Sequence, residues 1–191
     1  MAETEGKPKG PYFYALKDQS LREELQKWWE SLDANRGERA ELRRAETPLE
    51  ILPAKAFHRL CWILTKWEKR DLLALAIVAG VLAHIKEAGH GSFPRQLGTP
   101  KELGGDKAIF SELRFQQLLS SKDHDEFYQR LRRAVQLAGG SADICQLADS
   151  ILHWAKDHQD SNAEKPSQRF RYAWAKDYFA PTLNHKQGAK P

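Results

Sequence analysis

The 191-residue chain carries 30 Lys and Arg against 26 Asp and Glu, a net charge of +4 at pH 7, and its length fits one domain, or one domain built as two lobes. Such a chain buries a sizeable core without metal or disulfide help, and its two cysteines, Cys61 and Cys145, far apart in apolar-periodic segments, read as buried free thiols of a reducing cytoplasm. A membrane protein is excluded: Met1 to Gly10 is polar and lacks the apolar core of a signal peptide, and the longest apolar run, Leu72 to Ile85, is about 14 residues where a bilayer needs roughly 20.

Residues 1–17 read as a flexible N-terminal segment, with Tyr12, Phe13 and Tyr14 as an apolar anchor. Ser20 and Glu23 form a capping box ahead of a helix in which Leu21, Leu25, Trp28, Trp29 and Leu32 share one face. A basic helix follows, Arg36 to Ala45, in which Leu42 is the single large apolar residue, and Thr47-Pro48 ends it. Pro53 opens a third helix at its first position, with Phe57, Leu60, Cys61, Leu64 and Trp67 on one face. Asp71 caps the next, Leu72 to Ala88, which is apolar nearly all round and stopped by Gly89. Residues 89–107, rich in Gly, Pro and charge, divide two lobes.

The second lobe restarts at Ala108. Ile109, Phe110, Leu113, Phe115, Leu118 and Leu119 cover most of a helix and leave Arg114 among apolar neighbours. Asp123 and Glu126 open a helix over Phe127 to Ala138, which Gly139-Gly140 closes. Ser141 caps the next helix, built on Ile144, Leu147, Ala148, Ile151 and Leu152. A polar linker, His158 to Pro166, leads to a last helix with Phe170, Trp174 and Tyr178, stopped by Pro181 ahead of a tail, 182–191. No segment alternates with a period of two and no hairpin signal occurs. The expected fold is all-α, a helical bundle over 18–181 with about eight to nine helices in two packed lobes, 18–95 and 108–181.

Four basic clusters stand out: Arg36, Arg39, Arg43 and Arg44; Arg130, Arg132 and Arg133; Arg169 and Arg171 beside Phe170 and Tyr172; and Arg114 with Lys122. Arginine suits phosphate because its planar fork donates two parallel hydrogen bonds at any working pH, and each phosphate neutralised releases counterions. The alternative is a set of solvated faces, with Glu38 and Glu41 pairing internally with Arg39, Arg43 or Arg44. Trp28, Trp62, Trp67 and Trp154 lie on apolar stripes and read as core, while Trp174 with Arg171 stays open between packing and base stacking. His124-Asp125 matches the dipeptide of metal-dependent phosphohydrolases, yet it sits at a helix N-terminus. Asp149 and His153, four apart, supply two ligands where a metal site needs three or more. With no phosphate-binding glycine loop and no nucleophile elbow, neither catalysis, nor a metal, nor a cofactor is expected.

The ordered set Trp28-Trp29, then Arg36-Gly37-Glu38-Arg39-Ala40-Glu41-Leu42-Arg43-Arg44, then Ala56-Phe57-His58-Arg59-Leu60 resembles the CasB family. So do Phe110 to Leu119 with Arg114, Leu131-Arg132-Arg133-Ala134-Val135, and the closing helices with Trp154 and Tyr178-Phe179. That family is the small subunit of the type I-E CRISPR surveillance complex, Cascade. The resemblance spans roughly residues 19–180 and implies an all-helical, non-catalytic, cytoplasmic subunit, two copies of which lie along the belly of the complex beside the other Cascade subunits and the crRNA. It implies sequence-independent binding that holds the target and displaced DNA strands of the R-loop in antiviral defence. By position it points to Arg43, Arg44, Arg114, Arg132 and Arg133. The chain departs from the family after Arg114, where Ser120-Ser121 stand in place of further basic residues and Lys122 follows. The alternative is a protein-interaction adaptor whose arginines meet acidic partner surfaces.

Overall fold

The computed structural model describes residues 13–102, 105, 107–159 and 165–187. Its α-helices are α1 (Gln19–Ala34), α2 (Arg36–Arg44), α3 (Lys55–Ile63), α4 (Thr65–Glu68), α5 (Leu72–Ala83), α6 (Phe93–Gly98), α7 (Glu112–Leu119), α8 (His124–Leu137), α9 (Ile144–Gln159) and α10 (Phe170–Gln187). Short 3-10 turns occupy Pro48–Ile51 and Pro166–Gln168. Two-residue strands β1 (Glu87–Ala88) and β2 (Ser141–Ala142) pair in parallel, Glu87 opposite Ser141. The fold is the expected all-α bundle.

Helix α5 is the axis. Every residue from Ala74 to Ala83 is buried, as an all-round apolar helix requires, and α1, α2, α3, α4, α8, α9 and the first 3-10 turn pack around it. Asp71 caps it, accepting the Ala74 N–H at 2.9 Å. Burial opposes ionisation of that carboxyl, but hydrogen bonds from His124, the Ala74 N–H and Gln159 outweigh it and hold the carboxyl below its usual range. Gly80 admits a close approach: a Cβ there would lie 2.5 Å from both Ile51 Cδ1 and the Tyr128 hydroxyl. Among the described residues no helix is long and apolar enough to cross a membrane.

Several boundaries differ from the sequence expectation. Asp18, not Ser20, caps α1, accepting the Ser20 N–H at 2.9 Å. Pro53 does not open α3; the chain turns from Pro48 to Ala54, and α3 starts at Lys55. The helix expected to run through Trp67 breaks at Leu64 (φ −108°, ψ 44°) into α3 and α4. Helix α5 ends at Ala83 rather than Ala88, because residues 87–88 leave to pair with β2. Ser141 lies in β2, and Asp143 takes over as the cap of α9, accepting the Gln146 N–H at 2.9 Å. Within 89–107 the structure builds α6, with Phe93 and Leu97 buried. Helix α7 starts only at Glu112, with Leu113 and Arg114 exposed. Pro181 does not stop α10: the helix runs on to Gln187, and the Thr182 hydroxyl bonds the Phe179 carbonyl at 2.9 Å.

Of the N-terminal anchor, Tyr12 lies outside the described residues. The next residues are tied down rather than loose, because both oxygens of the Asp149 carboxylate accept the N–H groups of Tyr14, Ala15 and Leu16 at 2.6–2.7 Å. Leu16 is buried. Helix α10 packs chiefly on α6. There Phe115 stacks on Tyr178 at 3.9 Å, and the Tyr178 hydroxyl donates to the Phe110 carbonyl at 2.7 Å.

A Cβ on Gly98 would lie 2.8 Å from the Tyr178 carbonyl carbon, whereas at Gly37 in α2 it would meet nothing within 4 Å. Gly98→Ala is therefore expected to cost about 1–3 kcal/mol of stability, as overpacking against backbone does, and to speed amide exchange in α10. Gly37→Ala is expected to be neutral or to stabilise by up to about 1 kcal/mol. Denaturant unfolding and hydrogen exchange of the two variants check the pair.

Candidate nucleic-acid interface

Helix α2 is held by few apolar contacts, Leu42 being its one buried residue. Polar anchors do the rest. Arg39 donates from Nε to the Ala83 carbonyl at 3.0 Å and from Nη2 to the Ile85 carbonyl. It also pairs with Asp33 and lies over the Trp29 ring. Trp29 Nε1 donates to the neighbouring Leu82 carbonyl at 3.0 Å. At the C-terminal end of α5, where helical partners run out, Arg39 takes the Ala83 and Ile85 carbonyls and Trp29 adds a second donor to the Leu82 carbonyl, which also accepts the Ile85 N–H at 3.1 Å. Arg39 is a cap, with its guanidinium turned into the protein.

Glu38 does not pair within its own helix. Its carboxylate meets Arg59 of α3 at 2.5 Å, an ion pair without good hydrogen-bond direction, and Lys55 at 3.9 Å. The internal pairing expected for Arg39, Arg43 and Arg44 is therefore absent. Arg43 and Arg44 are exposed, and among the described residues their guanidinium groups make no hydrogen bond or ion pair.

On α8 the three arginines divide in the same way. Arg132 Nη1 donates to the Ala45 carbonyl at 2.8 Å, Nη2 to the Arg43 carbonyl at 3.3 Å and Nε to His84 Nε2 at 3.2 Å. Its guanidinium lies over the Tyr128 ring, and the Tyr128 hydroxyl donates to the same Ala45 carbonyl at 3.1 Å. Arg132 thus clamps the C-terminus of α2, where a cation is favoured by the helix dipole. Arg130 ties α8 to α7 through the Gln117 carbonyl at 2.7 Å and pairs with Glu126 at 2.9 Å. Arg133 is exposed, without a partner among the described residues, on the wall of a cavity of about 460 Å³ shared with Gln129, Arg132 and Gln136. The clamp ties the end of α2 that carries Arg43 and Arg44 to α8 through Arg132.

The remaining candidates lie elsewhere. Arg169, half-buried, and Arg171, exposed, line a second cavity of about 590 Å³ with Ser121, His158 and Tyr172. Lys122 adjoins it in sequence; its own N–H donates to Glu126 at 3.2 Å. Arg114 is exposed on α7, with no hydrogen bond or ion pair to either arginine group among the described residues. Trp174 is buried against Phe93, Phe115 and Phe170, so it packs.

Trp28, Trp67 and Trp154 are core as expected, but Trp62 is 83% exposed. Trp62 lies off the α3 face that buries Phe57, Leu60 and Cys61, whereas Trp67 is buried from α4, beyond the break at Leu64. His124, whose dipeptide with Asp125 matches that of metal-dependent phosphohydrolases, braces Asp71 at 3.0 Å, and the Asp149 carboxylate accepts N-terminal backbone N–H groups. Among the described residues no group of three or more His, Cys, Asp or Glu side chains is placed to hold a metal. Burial pushes the thiols of Cys61 and Cys145 up to about 11.

A family model described as CRISPR-associated protein Cse2 matches residues 38–179, a span that includes every basic residue named above except Arg36. No curated protein and no solved structure matches the chain.

Burial, then the charges of Arg132, Arg43 and Arg39, push His84 down to about 4. The unfolded chain takes up that proton near 6.5, so His84 contributes its full stability above that pH and loses it as pH falls towards 4. Stability is expected to drop by about 2 kcal/mol between pH 7 and pH 5. His84→Gln, whose amide oxygen still accepts from Arg132, is expected to flatten that drop in urea unfolding at the two pH values.

Proposed function

The chain belongs to the CRISPR-associated Cse2 family and is a Cascade small subunit, and from that premise we propose that it is a sequence-independent nucleic-acid-binding subunit that stabilises the R-loop. The observation that carries the reading is the division of labour among its arginines. Arg39 and Arg132 turn inward on helix ends, whereas Arg43, Arg44 and Arg133 face solvent without carboxylate partners. A surface of unpaired guanidinium groups on a rigid helix pair suits phosphate, and carries no means of reading base edges.

Strand exchange in such a complex is close to balanced, so backbone contacts worth a few kcal/mol tip it. In this reading two copies of the chain sit beside the crRNA and the other Cascade subunits in the cytoplasm and hold the target and displaced DNA strands. Arg114, Lys122, Arg169 and Arg171 supply secondary phosphate contacts, and the chain itself performs no chemistry. Arg130 is the weakest of the basic positions along α8, since Glu126 already neutralises it.

Arg43→Glu with Arg44→Glu is expected to abolish most binding to single-stranded DNA while leaving the unfolding midpoint nearly unchanged. The milder Arg43→Ala with Arg44→Ala is expected to make the slope of log affinity against log salt shallower by about 1.4, the value for two phosphates on a single strand. An adaptor that docks only on acidic protein surfaces would instead show no binding by the unaltered chain even at low salt.

A further inference from the structure

Of the six tryptophans in the chain, five are at most 8% exposed and Trp62 is 83% exposed. An indole so placed on a folded helix leaves a large apolar ring in water, where the same ring elsewhere in this chain is buried. Trp62 is the most exposed large hydrophobic side chain among the described residues. It lies near the end of α3, one turn after His58 and two turns after Lys55, both exposed. Lys66 of α4, just past the break at Leu64, is exposed as well.

The charge around the ring is one-sided. From residue 55 to residue 70 the sequence holds Lys55, Arg59, Lys66, Lys69 and Arg70 against one acid, Glu68. Arg59 is tied to Glu38 and Arg70 lies over Trp67, which leaves Lys55, Lys66 and Lys69 as exposed lysines within seven residues of Trp62 in the sequence. Lys55 touches Glu38 only at 3.9 Å and is 80% exposed. A flat aromatic face flanked by cations is the pattern that takes an unpaired base on the ring and its phosphates on the lysines.

We propose that Trp62, with Lys55, His58 and Lys66, is a stacking platform for an unpaired base of single-stranded DNA, separate from the arginine surface of α2 and α8. The proposal rests on the nucleic-acid reading above and adds a contact to a base face where that reading has only phosphate contacts. Stacking is blind to sequence because every base has a π-face, so the site is consistent with a subunit that must accept any strand.

Because the other tryptophans are buried, the long-wavelength part of the fluorescence of the full chain reports Trp62. Titration with oligo-dT, followed at once by tryptophan fluorescence and by anisotropy of a dye on the oligonucleotide, is expected to quench that emission along the binding curve. Trp62→Ala is expected to remove the quenching and weaken binding about tenfold, with the circular dichroism unchanged; Trp62→Phe retains part of the affinity. Binding seen by anisotropy with no quenching, and equal affinity of Trp62→Ala, would overturn the platform and leave the arginine reading intact. No anisotropy change by the unaltered chain would defeat that reading and the platform with it. Normal DNA binding by Trp62→Ala combined with failure to join the other Cascade subunits would reassign Trp62 to a protein contact and also overturn the platform.

Discussion

The carbonyls at the C-terminal end of α5 set the constraint on which this fold depends. A helix buried on every side cannot leave its last carbonyls to water, and here Leu82, Ala83 and Ile85 receive the indole N–H of Trp29 and the guanidinium of Arg39. That requirement places α1 and α2 across the end of the axis. Arg132 repeats the device at the end of α2, holding the Arg43 and Ala45 carbonyls from α8. Two arginines thus join the ends of α2 and α5 to their neighbours through backbone carbonyls.

The functional surface is a by-product of the same arrangement. With Arg39 turned inward, Glu38 is left to Arg59 and Lys55 of α3, and the exposed side of α2 keeps Arg43 and Arg44 with no carboxylate to neutralise them. His84, trapped beside Arg132 and near Arg43 and Arg39, is kept neutral by burial and by their combined charge.

Much of this was legible in the sequence, and the failures have physical causes. The apolar periodicity of α1, α5, α8 and α9 and the Asp71 and Asp123 caps were readable because burial and capping follow local rules; the Asp123 carboxylate does accept the Glu126 N–H at 2.8 Å. Arg43 and Arg44 are exposed, as a basic helix with one large apolar residue leads one to expect, whereas Arg39 of the same helix turns inward. The roles of Arg39 and Arg132 were not readable, because their carbonyl partners lie 44 and 87 residues away and main-chain acceptors leave no mark in a side-chain pattern. Trp62 was assigned to the core because apolar residues surround it in sequence, although it falls off the face shared by Phe57, Leu60 and Cys61 and is exposed. Pro181 was taken as a stop because propensity disfavours it inside a helix, yet α10 continues past it to Gln187.

The central claim is that inward and outward arginines divide stability from binding, and the most direct measurement sets Arg132→Ala beside the double variant Arg43→Ala with Arg44→Ala. Each is measured for unfolding free energy and for affinity to single-stranded DNA at one salt concentration. The account predicts a crossing: Arg132→Ala loses about 1–3 kcal/mol of stability, as expected when buried carbonyls lose their donor, and binds nearly normally, while the double variant keeps its stability and loses most of its affinity. Full stability of Arg132→Ala together with a loss of binding equal to that of the double variant would contradict it.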